Sequence, residues 1–506
     1  MRVRLRARTF SLALSGVIAA AAVTAPSTAA ALPAAPVKKV LVVGMDGLNW
    51  AKVVTANAPN LDALAADGSL GESLLYCPSV AASSSGPGWS TIATGVWPDK
   101  HGVKDNSFAG KQYATYPDFL TRLERVNSAY RTYSAVDWTV LHSQGTFSTA
   151  IDTRVTYDGD RDGYVVSDEK ITADTVRNLR DGNPDASFVY LGNTDVVAHA
   201  SGTGAPYIAA IEKQDAQLGQ LLGAIKARPT YAGEDWLVVV ATDHGHTNPG
   251  GGHGGCGVGD ERRTFVLAKG SGTAAGGRPI DTRLADVSAT VFNHLGVAAD
   301  PAWKLDSKPV SVRATDAFDS LSGALSTRVD ETGIPATVKG WTHTAPTGWS
   351  VDRSRMPSGG VTEWRGWSFT TDEFWTRAQA SQERENALRT RGVFAVADSD
   401  EFDDKSGGSS FDSTLVSPAY RVTAGSTVRL DYVTHYLQEG SQTGDVSVSF
   451  NGGADQLVKR YSADARAKVE SLPVTVPAGA TSMVVKFRYH NAGNNWYWAI
   501  DDLRVG

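Results

Sequence analysis

Three apolar runs in this chain end in side chains that can hold a cation. Lys39 to Met45 leads into Asp46, Phe188 to Thr194 leads into Asp195 with His199 four residues on, and Trp236 to Thr242 leads into Asp243 and His244. A fourth imidazole, His253, sits in a glycine-rich stretch from Gly250 to Gly259. Carboxylate and imidazole donors of this kind suit zinc, with open positions for a substrate. Between the first and second runs lies Ser83-Ser84-Ser85-Gly86-Pro87-Gly88-Trp89-Ser90, which passes from small polar residues into a helix-like segment ending at Thr94-Gly95. A hydroxyl at a helix N-terminus stands in positive potential beside free N–H groups, which favours an alkoxide and a bound phosphoryl group. Taken alone, the same residues read as a serine-rich turn with an N-cap.

The elements that position these residues follow from their patterning. The three runs are continuous rather than alternating, as strands buried on both faces are. Helical spacing marks Pro206–Ala227, through Ile208, Ile211, Leu218, Leu221, Leu222 and Ile225, and also Ala285–Leu295. Strands alternating with helices over residues 38–305 predict an α/β fold with a doubly wound, mostly parallel sheet. Ligands bind outside the carboxyl ends of such strands, where the aspartates stand. Residues 306–339 read as a linker. Residues 340–506 hold seven of the thirteen tryptophans and several short alternating runs: Thr427–Val433, Asp445–Phe450, Met483–Tyr489 and Trp496–Leu503. They predict an antiparallel β-sandwich.

With 506 residues, two domains are expected. Arg2, Arg4, Arg6 and Arg8 precede an apolar stretch from Phe10 to Val23 and small residues through Ala31, so residues 1–31 read as a secretory signal peptide and the protein as secreted. No later segment is long and apolar enough to span a bilayer. The net charge of −6 falls to −10 without the four arginines, which argues against general nucleic-acid binding. In an oxidising compartment the only two cysteines, Cys77 and Cys256, are expected to pair and staple two loops of the site.

The order Asp46, Ser-x-Pro, Asp195-x-x-x-His199, Asp243-His244-Gly245, Gly252-His253-Gly254 resembles the alkaline phosphatase superfamily, and within it the type I phosphodiesterases and nucleotide pyrophosphatases. The resemblance covers residues 38–305. It implies two Zn2+ ions, with other divalent ions admissible. Asp46, Asp243 and His244 would hold one beside the nucleophile hydroxyl, and Asp195, His199 and His253 the other. The family's counts, two residues before a proline and nine before the threonine of Thr-Gly, select Ser85 over Ser83, Ser84 and Ser90. They place a phosphoryl-binding asparagine at Asn106. The resemblance implies hydrolysis of a small phosphodiester or pyrophosphate substrate through a phosphoserine, with phosphomonoester cleavage as the alternative. Arg154 and Arg161 are the candidate cations for a dianion, and Trp89 and Trp97 the candidate aromatic walls. His246 reads as a residue behind the ligands or facing solvent, and His101 as a brace for its turn. In the C-terminal unit, Phe411–Pro418 and Trp496–Leu503 resemble jelly-roll domains of secreted hydrolases. That resemblance implies contact with polysaccharide or cell surface, which would make a binding protein the reading of another class. The acidic run Asp398–Asp404 is a candidate for Ca2+, although it lacks EF-hand spacing.

Overall fold

The computed structural model describes residues 35–257, 259–310, 316–405 and 410–506. The leader read at residues 1–31 lies outside them. From Val37 to Gly506 the chain forms one compact unit built on three sheets.

The first sheet has seven strands: β1 (Val37–Met45), β2 (Ser69–Leu74), β3 (Thr132–Val136), β4 (Thr153–Thr156), β5 (Ala186–Leu191), β6 (Glu234–Ala241) and β7 (Arg263–Lys269). Their spatial order is β2-β7-β6-β1-β5-β3-β4. The pairs among β6, β1, β5, β3 and β4 are parallel, and β7 pairs antiparallel with both β6 and β2. The apolar runs are continuous because each central strand feeds two cores. Val40, Val42, Phe188, Leu237 and Val239 pack on one face of the sheet. Leu41, Val43, Val189, Val238 and Val240 pack on the other. Helices Ala205–Lys226 and Asp286–Leu295 carry the two periodic stretches seen in the sequence and cover opposite faces.

This order brings three carboxylates together. β1 lies between β5 and β6, with Met45 opposite Leu191 and Gly44 opposite Ala241. Two residues further along that register, Asp46 is level with Asp243. On the other side, Asp195 begins the first turn of the Asn193–Ser201 helix just beyond β5.

The C-terminal part is a sandwich of two sheets with only antiparallel pairings among the described strands. One has Ser482–Ala492 and Thr443–Phe450 at its centre, and the other has Thr427–Tyr436 and Tyr497–Val505. Six of its tryptophans, 341, 349, 364, 367, 375 and 498, are buried in the core between the sheets, and Trp496 is half-buried against it. They do not form an exposed sugar platform. In the acidic run, Asp398, Asp400 and Glu401 close around the buried guanidinium of Arg384, at 3.0, 3.0 and 2.9 Å. The positive charge these carboxylates meet is an arginine. Among the described residues no helix is long and apolar enough to cross a membrane.

Candidate active site

Each aspartate at the strand ends has one oxygen that the protein leaves bare. Asp46 Oδ2 accepts from Trp89 Nε1 at 2.9 Å and from the Tyr190 hydroxyl at 2.5 Å. Asp243 Oδ1 accepts from the Gly47 N–H at 3.2 Å. The other oxygens, Asp46 Oδ1 and Asp243 Oδ2, and also Asp195 Oδ1, are buried with no hydrogen-bond partner among the described residues. Buried acceptors are rarely left this way unless something else satisfies them. Burial, and then the neighbouring Asp195, pushes Asp46 up to about 7. Burial and then Asp46 push Asp243 well above the ordinary carboxylate range. For Asp195, burial raises the pKa, but the surrounding imidazoles, His246 first and then His244 and His199, outweigh it and hold it at about 2.

The imidazoles face the same space. His244 Nδ1 lies 2.9 Å from the Gly245 carbonyl, His246 Nδ1 2.8 Å from the Gly251 carbonyl and His253 Nδ1 2.9 Å from the Ser83 carbonyl. A carbonyl can only accept, so each of these Nδ1 atoms carries the hydrogen and each ring turns its Nε2 inward. This is how metal-binding histidines are held. His244 Nε2 stands 3.4 Å from Asp46 Oδ1 and 3.3 Å from Asp243 Oδ2. The Nε2 atoms of His199, His246 and His253 stand 3.5, 3.2 and 3.6 Å from Asp195 Oδ1. His199 and His253 bring their Nε2 atoms within 2.9 Å of each other. Imidazole and carboxylate atoms set this close together are the arrangement a bound cation would draw together. The donor set therefore fits two metal ions, one at Asp46, Asp243 and His244 and one at Asp195, His199 and His253.

Ser85 opens the Ser85–Thr94 helix, with Ser84 as its N-cap. Its hydroxyl lies 3.3 Å from His244 Nε2. Two glycines allow this approach. A Cβ at Gly88 would stand 2.6 Å from the Asp243 carbonyl oxygen, and one at Gly86 would stand 2.7 Å from that of Asp105. Backbone therefore fills the space that a side chain at either position would need. Asn106 is exposed, and its Oδ1 accepts the Gly86 N–H at 2.7 Å, which fixes the amide and leaves Nδ2 to donate outward. Cys77 and Cys256 form a disulfide, with a Cα–Cα distance of 4.9 Å.

Four expectations are corrected or sharpened. Trp89 and Trp97 are buried and present no aromatic wall; Trp89 lies against Gly44 and holds Asp46. Arg154 donates to the His142 carbonyl at 3.0 Å, and Arg161 is exposed and paired with Asp162 at 2.7 Å. His246 does not face solvent: it is fully buried among the ligand set. His101 braces its turn, bonding Thr91 Oγ1 at 3.1 Å and accepting the Val103 N–H at 3.1 Å.

Residues 40–253 match the model of the type I phosphodiesterase / nucleotide pyrophosphatase family. The resemblance drawn from the order of motifs holds over that segment, and the match supports an enzyme that hydrolyses phosphate esters. Members of the family are typically metal-dependent, in keeping with the candidate ion-binding groups above. No curated protein matches the chain. Among solved structures it is similar to murine ectonucleotide pyrophosphatase / phosphodiesterase 5, at 14% identity over 52% of this chain and 96% of that one, with a TM-score of 0.38. It is also similar to a 2-O GAG sulfatase, at 12% identity over 67% and 81%, with a TM-score of 0.42.

Proposed function

We propose that the protein is a secreted two-zinc phosphohydrolase that cleaves phosphodiester or pyrophosphate bonds through a phosphoserine on Ser85. One observation carries the reading: the buried, unpartnered oxygens of Asp46, Asp195 and Asp243 converge with the imidazoles of His199, His244 and His253 beside the Ser85 hydroxyl. Asp46, Asp243 and His244 would hold one cation, and Asp195, His199 and His253 the other. When bound, such ions lower the pKa of a hydroxyl or water and offset charge on the attacking and leaving oxygens.

The side chains do the rest by position. Ser85 Oγ forms a bond to phosphorus as the bond to the leaving oxygen breaks, and its proton passes to solvent. The leaving group departs as an alcohol or phosphate. A water then attacks the phosphorus, the bond to Ser85 Oγ breaks, that oxygen regains a proton given up by the water, and a phosphate monoester leaves. Asn106 Nδ2 donates to a phosphoryl oxygen, its Oδ1 being occupied by Gly86. The Nδ1 anchors keep the His244 and His253 rings from turning. Such positioning and charge stabilisation dominate phosphoryl transfer. A diester or pyrophosphate is favoured over a monoester dianion because Arg154 and Arg161 are engaged elsewhere. Secretion is supported by the leader pattern in residues 1–31 and by the disulfide.

The test is Ser85→Ala. Turnover of bis-aryl phosphate should vanish while two equivalents of zinc remain after dialysis. Wild-type turnover in that variant would remove Ser85 as the nucleophile.

A further inference from the structure

His253 differs from the other inward-facing rings in where its anchor comes from. His244 and His246 are anchored on carbonyls of their own loop, Gly245 and Gly251. His253 donates to the carbonyl of Ser83, 170 residues away, on the turn that presents Ser85. Ser83 is fully buried, and its hydroxyl makes two more bonds to the same loop. It accepts from the Gly254 N–H at 3.1 Å and donates to the Gly255 carbonyl at 3.1 Å.

Before His253 the loop is closed on itself, the Thr247 N–H donating to the Gly252 carbonyl at 2.7 Å and the Gly252 N–H to Thr247 Oγ1 at 3.0 Å. Around His253 it has no helix or strand, and Gly251, Gly254 and Gly259 adopt positive φ, 77°, 104° and 106°. Glycines of this kind lose the most conformational freedom when they are fixed. Beyond His253, Glu261 accepts the Gly255 N–H at 2.9 Å, and the disulfide ties Cys256 to Cys77. From His253 to Gly255 it is Ser83 that ties the loop to the nucleophile turn, by its carbonyl and its hydroxyl. The ring it fixes stacks on His244 with centroids 3.8 Å apart and an interplanar angle of 28°. The imidazoles of the two metal groups are therefore set against each other through this contact.

We infer that Ser83 is a positioning residue for the second cation: its hydroxyl clasps the His253 loop to the nucleophile turn and so sets that ion's affinity. The inference rests on the two-cation reading above. Ser84 supplies the matched control, because its hydroxyl is buried beside Ser83 but has no hydrogen-bond partner.

The experiment measures zinc binding to the intact, oxidised protein by chelator competition, comparing wild type, Ser83→Ala and Ser84→Ala, together with apo-protein melting. Partners that orient a metal ligand are typically worth about 10- to 100-fold in affinity. Ser83→Ala should weaken one of the two equivalents by about that factor and leave the other unchanged. Its apo melting curve should stay in place, excess zinc should restore its turnover, and Ser84→Ala should bind both ions as wild type does. Unchanged affinity in Ser83→Ala, equal weakening of both ions with a lower melting point, or inactivity at saturating zinc would each overturn the role given to Ser83. A wild-type protein holding fewer than two equivalents would instead refute the two-cation reading itself.

Discussion

Replacing Tyr190 by Phe removes one oxygen atom from the core, and the consequence for metal uptake can be worked out in advance. The Tyr190 hydroxyl donates to Asp46 Oδ2 at 2.5 Å, alongside Trp89 Nε1. Burial, then Asp195, holds Asp46 near 7, and these two donors act against that rise. A hydrogen bond to a charged group contributes about 1.5–3 kcal/mol, or roughly one to two pKa units. Phe at position 190 should therefore move the Asp46 pKa to about 8–9. A cation needs the ionised carboxylate, so proton and cation compete. Near pH 6 the variant should bind its first cation about 10- to 100-fold more weakly than wild type. As pH approaches and passes 9, Asp46 ionises unaided in both proteins and the gap should close. Competition with a chromophoric chelator across pH 6–9 reads this directly. A gap that does not depend on pH, or no gap, would refute the argument that Tyr190 acts by stabilising the Asp46 carboxylate.

Gly88→Ala sets a Cβ 2.7 Å from that of Asp243, so it should abolish turnover and lower zinc stoichiometry, as measured by plasma spectrometry after gel filtration. Opening the Cys77–Cys256 bond, which closes a separation of 179 residues, should cost up to about 5 kcal/mol on the chain-entropy estimate. Denaturant unfolding of a Cys77→Ser/Cys256→Ser variant reads this, and no shift in midpoint would count against the staple. Burial holds His101, His142 and His435 at about 3, His142 with a further push from Arg154. Their folded pKa values lie below the unfolded value near 6.5. Their contribution is therefore complete above about pH 6.5 and is lost as pH falls toward 3, at about 1.4 kcal/mol per pH unit for each. Unfolding midpoints of chelator-treated protein should drop steadily from pH 7 to pH 5; a flat profile would contradict neutral burial.

The parts of the site legible in the sequence are those fixed by strand geometry. A buried parallel strand must leave its sheet at its carboxyl end, so the aspartates closing three apolar runs had to meet if those runs were neighbours. Ser85 came from the family resemblance, whose counts to Pro87 and Thr94-Gly95 select it. His246 was illegible because its direction depends on the Gly251 carbonyl five residues on, and nothing in Asp-His-Gly-His reveals that. Trp89 was misjudged for a similar reason. Its ring is accommodated by the missing side chain at Gly44, where a Cβ would fall 2.4 Å from it, and that contact joins residues far apart in the chain. The acidic run after Asp398 suggested an ion because its partner, Arg384, lies well upstream in a turn.

The contacts made by residues 388–391 bear on how the protein can be shortened. Leu388 is buried in the core of the first sheet's own layer. Arg391 makes a bidentate pair with Asp286 at 2.8 and 2.9 Å, and Arg389 reaches Asp99 and Asp306, each at 2.9 Å. Truncation after residue 305 would strip the guanidinium from a buried carboxylate and uncover an oily socket. An isolated catalytic fragment should therefore precipitate when expressed, and screening for inhibitors or crystals calls for the complete polypeptide.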